Sequence, residues 1–346
     1  MDTTTTTTTA PTATATPAVV TTPATGREQS DIDETLERLL DAELDYRPGA
    51  RSGFISHLAM SLVAAARLGA SADELQGWYD AQTSGDFLIP RTRPTSLADP
   101  IERMRRDGID GGGIEREVRR RIPAVIVAPE SQFFHAPIRL ELAIDAGHAA
   151  QVANALENWE AHDTPLPERP DGDGDLGITE VVRRVLAHPS AGPGSSLDVH
   201  GVAAQDWFVA EMDGLRVDDR TLDELAAIAA ASHVEPRHFG TLHLVTGTRA
   251  VRALAPYLGP DDQRELALRT AQSVAAAMVS FGASLPPADE TAARRAAAPA
   301  EWQGLARAAL DSNDPHVVKL VYASMLEEQA TGDPLYRALA ATQVGR

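Results

Sequence analysis

The stretch Asp314-Pro315-His316-Val317-Val318-Lys319 reads as the opening of a helix. Asp314 suits the N-cap, where a carboxylate accepts from free backbone N–H groups, and Pro315 suits the first helical position, where no N–H is missed. His316 and Lys319 then stand on one face, three residues apart. The lysine is unusual. The chain has 31 basic residues, and every one except Lys319 is arginine. Surface charge is thus carried by arginine, and a lone lysine marks a place where an amine itself can be needed. The plainer alternative is a snorkelling surface lysine.

Outward from this point the same helix signals recur. Trp302 to Leu310 precedes it as a helix, its own helix ends near Gly332, and Asp333-Pro334 starts a last one. A helical segment runs from Phe239 to about Leu258 and carries His243 and Thr246. Another runs from Pro260 to Gly282, and a Pro/Ala-rich break follows at 286–299. Nearer the N-terminus, Ser30 with Asp33, Ser71 with Glu74 and Thr221 with Glu224 mark capped starts. Leu36, Leu39, Leu40 and Leu44 give one apolar face. A helix is expected from Ser52 to Leu68, with Phe54, Leu58, Leu62 and Val63 inward and His57 beside them, after a break at Tyr46-Arg47-Pro48-Gly49. Pro137 predicts a kink or a helix start beside His135. Helices follow at Ile138–Ala146, His148–His162 and Ile178–His188, with a loop at 163–176, while 198–217 has no clear pattern. Val125-Ile126-Val127 is the one strand-like run, short enough to be a buried helix end. The expected fold is all-α: a single large helical domain over 30–346 behind a disordered Thr/Ala/Pro-rich tail, 1–29.

Composition excludes several functions. Without cysteine there is no disulfide, thiolate metal site or iron–sulfur cluster. A formal charge of −19 disfavours nucleic acid and anionic membranes, and the arginine run 116–121 suits a solvated helix face. No apolar run reaches the ~20 residues of a membrane helix, and the N-terminus lacks the features of a signal peptide. A cytoplasmic enzyme or binding protein is therefore expected. Gly108–Gly113 has neither the strand nor the spacing of a dinucleotide or phosphate loop. There is no Gly-x-Ser-x-Gly elbow, and His162-Asp163 lacks acidic partners for a phosphohydrolase site.

Of the ten histidines, His148, His162, His188, His233 and His238 suit solvated positions, and His200 lies in the unassigned stretch. His57, His135, His243 and His316 each fall in or beside an apolar helical segment. Singly, each suits a hydrogen-bonded core histidine. Together, on four segments of a helical domain, they suit a metal site built inward from facing helices, and neutral imidazole favours iron, zinc or copper. A desolvated amine near a cation and a helix N-terminus has a lowered pKa. Lys319 could then add carbon dioxide and become a carbamate, an anionic oxygen ligand. Four imidazoles and one carbamate leave one octahedral position open.

At these segments the chain resembles the questin-oxidase-like family of polyketide pathways. The similar stretches are Phe54-Ile55-Ser56-His57-Leu58 with Arg67-Leu68-Gly69-Ala70, Phe134-His135-Ala136-Pro137-Ile138-Arg139-Leu140, Leu242-His243-Leu244-Val245-Thr246 and Asp314 to Leu320. The resemblance implies a helical oxygenase that uses dioxygen to oxidise or ring-open an aromatic polyketide such as an anthraquinone. It also implies a mononuclear non-heme Fe(II), with His57, His135, His243, His316 and a modified Lys319 as ligands. The segment 163–238 matches only loosely. Phe134, Trp207 and Tyr322 are the candidates for contact with a flat substrate, and Arg139 for pairing with a substrate phenolate or a nearby carboxylate. Two other expectations stay open: a metal-independent, NADPH-fed Baeyer–Villiger-type oxygenase, and a non-catalytic binding protein for a pathway intermediate.

Overall fold

The computed structural model describes residues 26–51, 55–91, 97–108, 112–191, 198–233, 238–299 and 301–345. The tail through 25 and the expected helix start at 52–54 lie outside them. Among the described residues there are seventeen α-helices and one two-stranded sheet, so the chain is all-α. The first helices are α1 (Gly26–Glu43), α2 (Leu58–Arg67), α3 (Ala72–Thr83), α4 (Ala98–Arg106), α5 (Ile114–Val125) and α6 (His135–Asp145). Then come α7 (Ala149–Glu160), α8 (Ile178–Ala187), α9 (Val199–Ala203), α10 (Asp206–Met212), α11 (Thr221–Ser232) and α12 (Phe239–Leu254). The last are α13 (Pro260–Ser280), α14 (Ala288–Ala296), α15 (Gln303–Asp311), α16 (Pro315–Thr331) and α17 (Leu335–Val344). Strands β1 (Tyr46–Ala50) and β2 (Leu88–Pro90) pair antiparallel.

Four helices form a closed ring: α2 packs on α6, α6 on α12, α12 on α16, and α16 back on α2. All four run the same way. His57 is the N-cap of α2, His135 the first residue of α6, His316 the second of α16, and His243 lies one turn into α12. At the other end, Arg67 of α2 pairs with Asp145 of α6 at 3.2 Å. Glu141 of α6 meets Arg249 of α12 at 3.8 Å, each six residues beyond its histidine. Parallel neighbours cannot be joined by short turns. The helices that lie between them in the chain are the crossovers; α7 packs on α6, α11 and α13 on α12, and α15 on α16, while the terminal helices α1 and α17 cover α2 and α16.

The opening stretch folds as its residues dictate. Asp314 accepts from the His316 N–H at 2.9 Å, and α16 ends at Gly332, whose φ of +71° is the left-handed cap that glycine adopts without strain. Ser71 and Glu74 form the expected reciprocal capping box. Several boundaries move. Residues 26–29, expected in the tail, are the first turn of α1, so Ser30 lies inside the helix and bonds Glu34 at 3.2 Å. Tyr46-Arg47-Pro48-Gly49 is strand rather than break, held on β2 and by Arg91, whose side chain donates to the Tyr46 carbonyl at 2.8 Å. The cap of α11 is Arg220, because Thr221 turns back to accept from the Asp218 N–H. Val125 ends α5 and is buried, which resolves that run as a helix end. The stretch 286–299 contains α14, and 198–217 contains α9 and α10.

Candidate metal centre

The four histidines selected from the sequence meet at the N-terminal end of the ring. His57 Nε2 lies 2.7 Å from His135 Nε2, and His243 Nε2 lies 3.2 Å from the same atom. The ligating nitrogens of His57, His243 and His316 fall within 4.8 Å of one another. His316 stacks edge-on against His57 with ring centroids 4.4 Å apart. His135 and His243 are buried, while His57 and His316 are half-buried, so the cluster opens on that side.

Each buried imidazole is aimed by its own helix start. His135 Nδ1 lies 2.6 Å from the Gln132 carbonyl, and His243 Nδ1 lies 2.7 Å from the Phe239 carbonyl one turn back. A carbonyl only accepts, so both Nδ1 atoms carry the proton, and both Nε2 atoms present bare lone pairs. Those lone pairs face each other at 3.2 Å. Two acceptors cannot bond each other, so the arrangement suits a cation placed between or beside them. A proton is disfavoured there: burial first, then neighbouring cationic groups, hold His57, His135 and His243 well below the usual imidazole value. Nitrogens about 2.1 Å from a shared metal lie ~3 Å apart when adjacent and ~4.2 Å apart when opposite. The cluster already has nearly that spread. The chemistry of the set (neutral, borderline-soft nitrogen donors) fits a divalent transition metal.

Two more groups complete the fit. Among the described residues, the buried Nε2 of His316 and Nζ of Lys319 each lack a hydrogen-bond partner. Burial, then the Arg139 guanidinium, pushes the Lys319 amine down to about 7 against a smaller opposing pull from Asp314. At neutral pH a large share of this amine is unprotonated. Four convergent helix N-termini add partial positive charge, which disfavours an ammonium and favours an anion. Asp314 lies 3.5 Å from His316 Nδ1, and that side chain with the adjacent backbone N–H groups holds its carboxyl down to about 2.

The segment before His135 is strained. Gln132, Phe133 and Phe134 have φ of 56°, 57° and 65° in succession. For non-glycine residues this costs ~1–2 kcal/mol each. Neighbours hold the turn in place. The Gln132 and Asn158 side chains bond reciprocally, the shorter bond 2.7 Å, and Ser131 Oγ donates to the His162 carbonyl at 2.6 Å. The turn buries Phe134, exposes Phe133 and sets the Gln132 carbonyl under His135.

The other selected residues are placed differently. Arg139 is buried, pairs with Glu43 at 3.4 Å and donates to the Ser56 carbonyl at 2.7 Å. It ties the residue before His57 to the His135 helix, so it is a positioning residue and not a substrate contact. Phe134 packs in the core against Gly247, where an added Cβ would lie 2.6 Å from its own. Tyr322 is buried and donates to Asp145 at the far end of α6. Trp207 stacks on His188, ring centroids 4.5 Å apart, in the α8–α10 region. Among the described residues none of these three rings stacks on His57, His135, His243 or His316 as expected of a substrate wall. His233, expected in solvent, is fully buried between Thr241 and Gln343.

The aromatic residue beside the cluster is one the pattern of histidines did not pick out. The Phe239 ring centroid lies 4.3 Å from that of His243 and 6.1 Å from that of His316. The i, i+4 spacing from Phe239 to His243 was the available signal. No protein-family model matches this chain, and no curated protein matches it either.

Proposed function

We propose that the chain is a non-heme iron oxygenase that oxidises or ring-opens a polycyclic aromatic polyketide with dioxygen. Fe(II) would be held by His57, His135, His243 and His316, with Lys319 as a fifth ligand after carbamylation. The observation that carries the reading is the pair of bare imidazole lone pairs, His135 and His243, facing each other at 3.2 Å in a buried site. Lys319 supports it, because a buried amine without a partner is costly as an ammonium and reactive as a free base. Its Nζ lone pair would attack carbon dioxide and release a proton to leave an anionic carbamate, which the four helix N-termini favour. Iron(II), when bound, supplies the one-electron chemistry that dioxygen needs. The protein contributes the rest: Gln132 and Phe239 carbonyls fix two imidazole tautomers, Arg139 holds the His57 loop, and the half-buried His57 and His316 leave the approach side.

The test is metal content. Protein produced with iron should carry one equivalent, His243→Ala should lose it, and Lys319→Arg, which keeps charge but cannot form a carbamate, should bind less and lose activity. A metal-free wild type whose aromatic-ligand binding survives His243→Ala would instead favour the non-catalytic binding protein. A metal-free wild type that oxidises substrate only with NADPH would favour the Baeyer–Villiger-type reading. Undiminished metal and activity in Lys319→Arg would remove Lys319 from the site.

A further inference from the structure

Among the described residues three large apolar side chains are exposed, and two of them are neighbours: Phe133 at 49% and Phe239 at 38%. Their ring centroids lie 5.9 Å apart in an edge-to-face arrangement, and Phe281 joins them 6.2 Å from Phe133. Aromatic exposure of this kind costs solvation unless something covers it. The three rings come from separate segments, and two of them are held in place by backbone design. Phe133 sits at the middle of the strained left-handed turn. Phe281 lies against Gly240, where any Cβ would come within 2.2 Å of its ring, and Gly282 turns the chain away after it at φ +65°. Phe239 is the inner ring, in contact with His243 and near His316.

We propose that Phe133, Phe239 and Phe281 form the mouth of the histidine site and receive a planar aryl ring bearing an ionisable hydroxyl. Two observations select this occupant. The rings are continuous with the half-buried face of the histidine cluster, so a flat ring seated on Phe239 directs its edge toward His243 and His316. The cluster is also where four helix N-termini meet, which favours an anionic oxygen over a neutral or cationic group. Offset or edge-to-face stacking on phenylalanine discriminates aromatic from saturated rings. The proposal rests on the histidine cluster being the reacting centre, but binding at the mouth can be read without turnover.

The probe is 2-naphthol, followed by its own fluorescence on titration with purified full-length protein, with decahydro-2-naphthol as a competitor. Phe133→Leu and Phe239→Leu should each weaken 2-naphthol binding on the order of tenfold. Iron content should stay at the wild-type level, and Phe87→Leu, at the third exposed aromatic, should leave binding unchanged. The saturated analogue should compete poorly. The mouth is overturned if the wild type does not bind 2-naphthol, if the leucine variants bind it as the wild type does, or if the saturated ring competes equally. It is also overturned if gel filtration shows a dimer that Phe133→Leu dissolves, since the patch would then be covered by a second copy. Iron-free wild-type protein that still binds 2-naphthol through Phe239 would sink the iron reading and leave the mouth standing.

Discussion

At the scale of single residues, the centre depends on groups that carry no chemistry themselves. Arg139 illustrates this. Its guanidinium is buried with Glu43 and the Ser56 carbonyl, so it joins α1, the His57 loop and α6. Removing one member of such a pair leaves a charge in a low-dielectric interior, at a cost of about 3–5 kcal/mol. Arg139→Leu should therefore lower the unfolding free energy by that amount in urea titrations, whereas Arg139→Leu with Glu43→Leu should recover most of it. Recovery of stability without recovery of metal content would identify Arg139 as positioning the proposed metal site. The sequence marked Arg139 by its place one turn after His135, but not its partner, which lies 96 residues away.

At the scale of elements, the crossing of α6 and α12 is set by a glycine. Phe134 occupies the space in which a Cβ on residue 247 would sit. Gly247→Ala should destabilise the protein by about 1–3 kcal/mol through overpacking, and it should shift the left-handed turn, lowering affinity at the proposed metal site. Calorimetry and metal analysis on the same sample check both effects. The start of α16 makes a separate prediction. Asp314→Ala should cost about 1 kcal/mol in denaturant unfolding, as a lost N-cap does, while Asp314→Asn, which still accepts from the His316 N–H, should cost much less. This element was legible because capping and proline placement are local. The turn at 132–134 was not, because nothing local favours three successive left-handed residues. Its cost is offset by Asn158 and the His162 carbonyl, contacts that exist only once α7 docks.

At the scale of the whole molecule, burial of carboxyl groups gives a pH dependence. Glu130 is buried beside Ser273, whose hydroxyl lies 2.6 Å away, and desolvation raises its carboxyl to about 7 despite that bond and the Arg269 charge. The folded state thus holds this proton more tightly than the unfolded chain. Its contribution is fully present below the ordinary carboxyl value and is lost as pH rises through about 7, on the order of 3 kcal/mol. Glu130→Gln should flatten the stability profile between about pH 4.5 and 8 and be more stable than the wild type at pH 8. Equal slopes in the two proteins would show that Glu130 is ionised in the folded state. Among the described residues no helix is long and apolar enough to cross a membrane.

What the sequence determined by itself was whatever depends on near neighbours. Caps, prolines and helical spacing placed α3, α6 and α16, and apolar neighbours separated His57, His135, His243 and His316 from most of the others. His233 escaped that sorting because its burial comes from Thr241 and Gln343, one of them 110 residues distant. Only the tertiary structure decided that four helices run parallel, that their N-termini meet, and that two imidazole lone pairs are forced together. Those outcomes depend on crossovers and long-range packing, which no window of sequence contains. The same is true of the aromatic mouth: Phe133, Phe239 and Phe281 are far apart in the chain, and a glycine and a strained turn bring their rings to one rim.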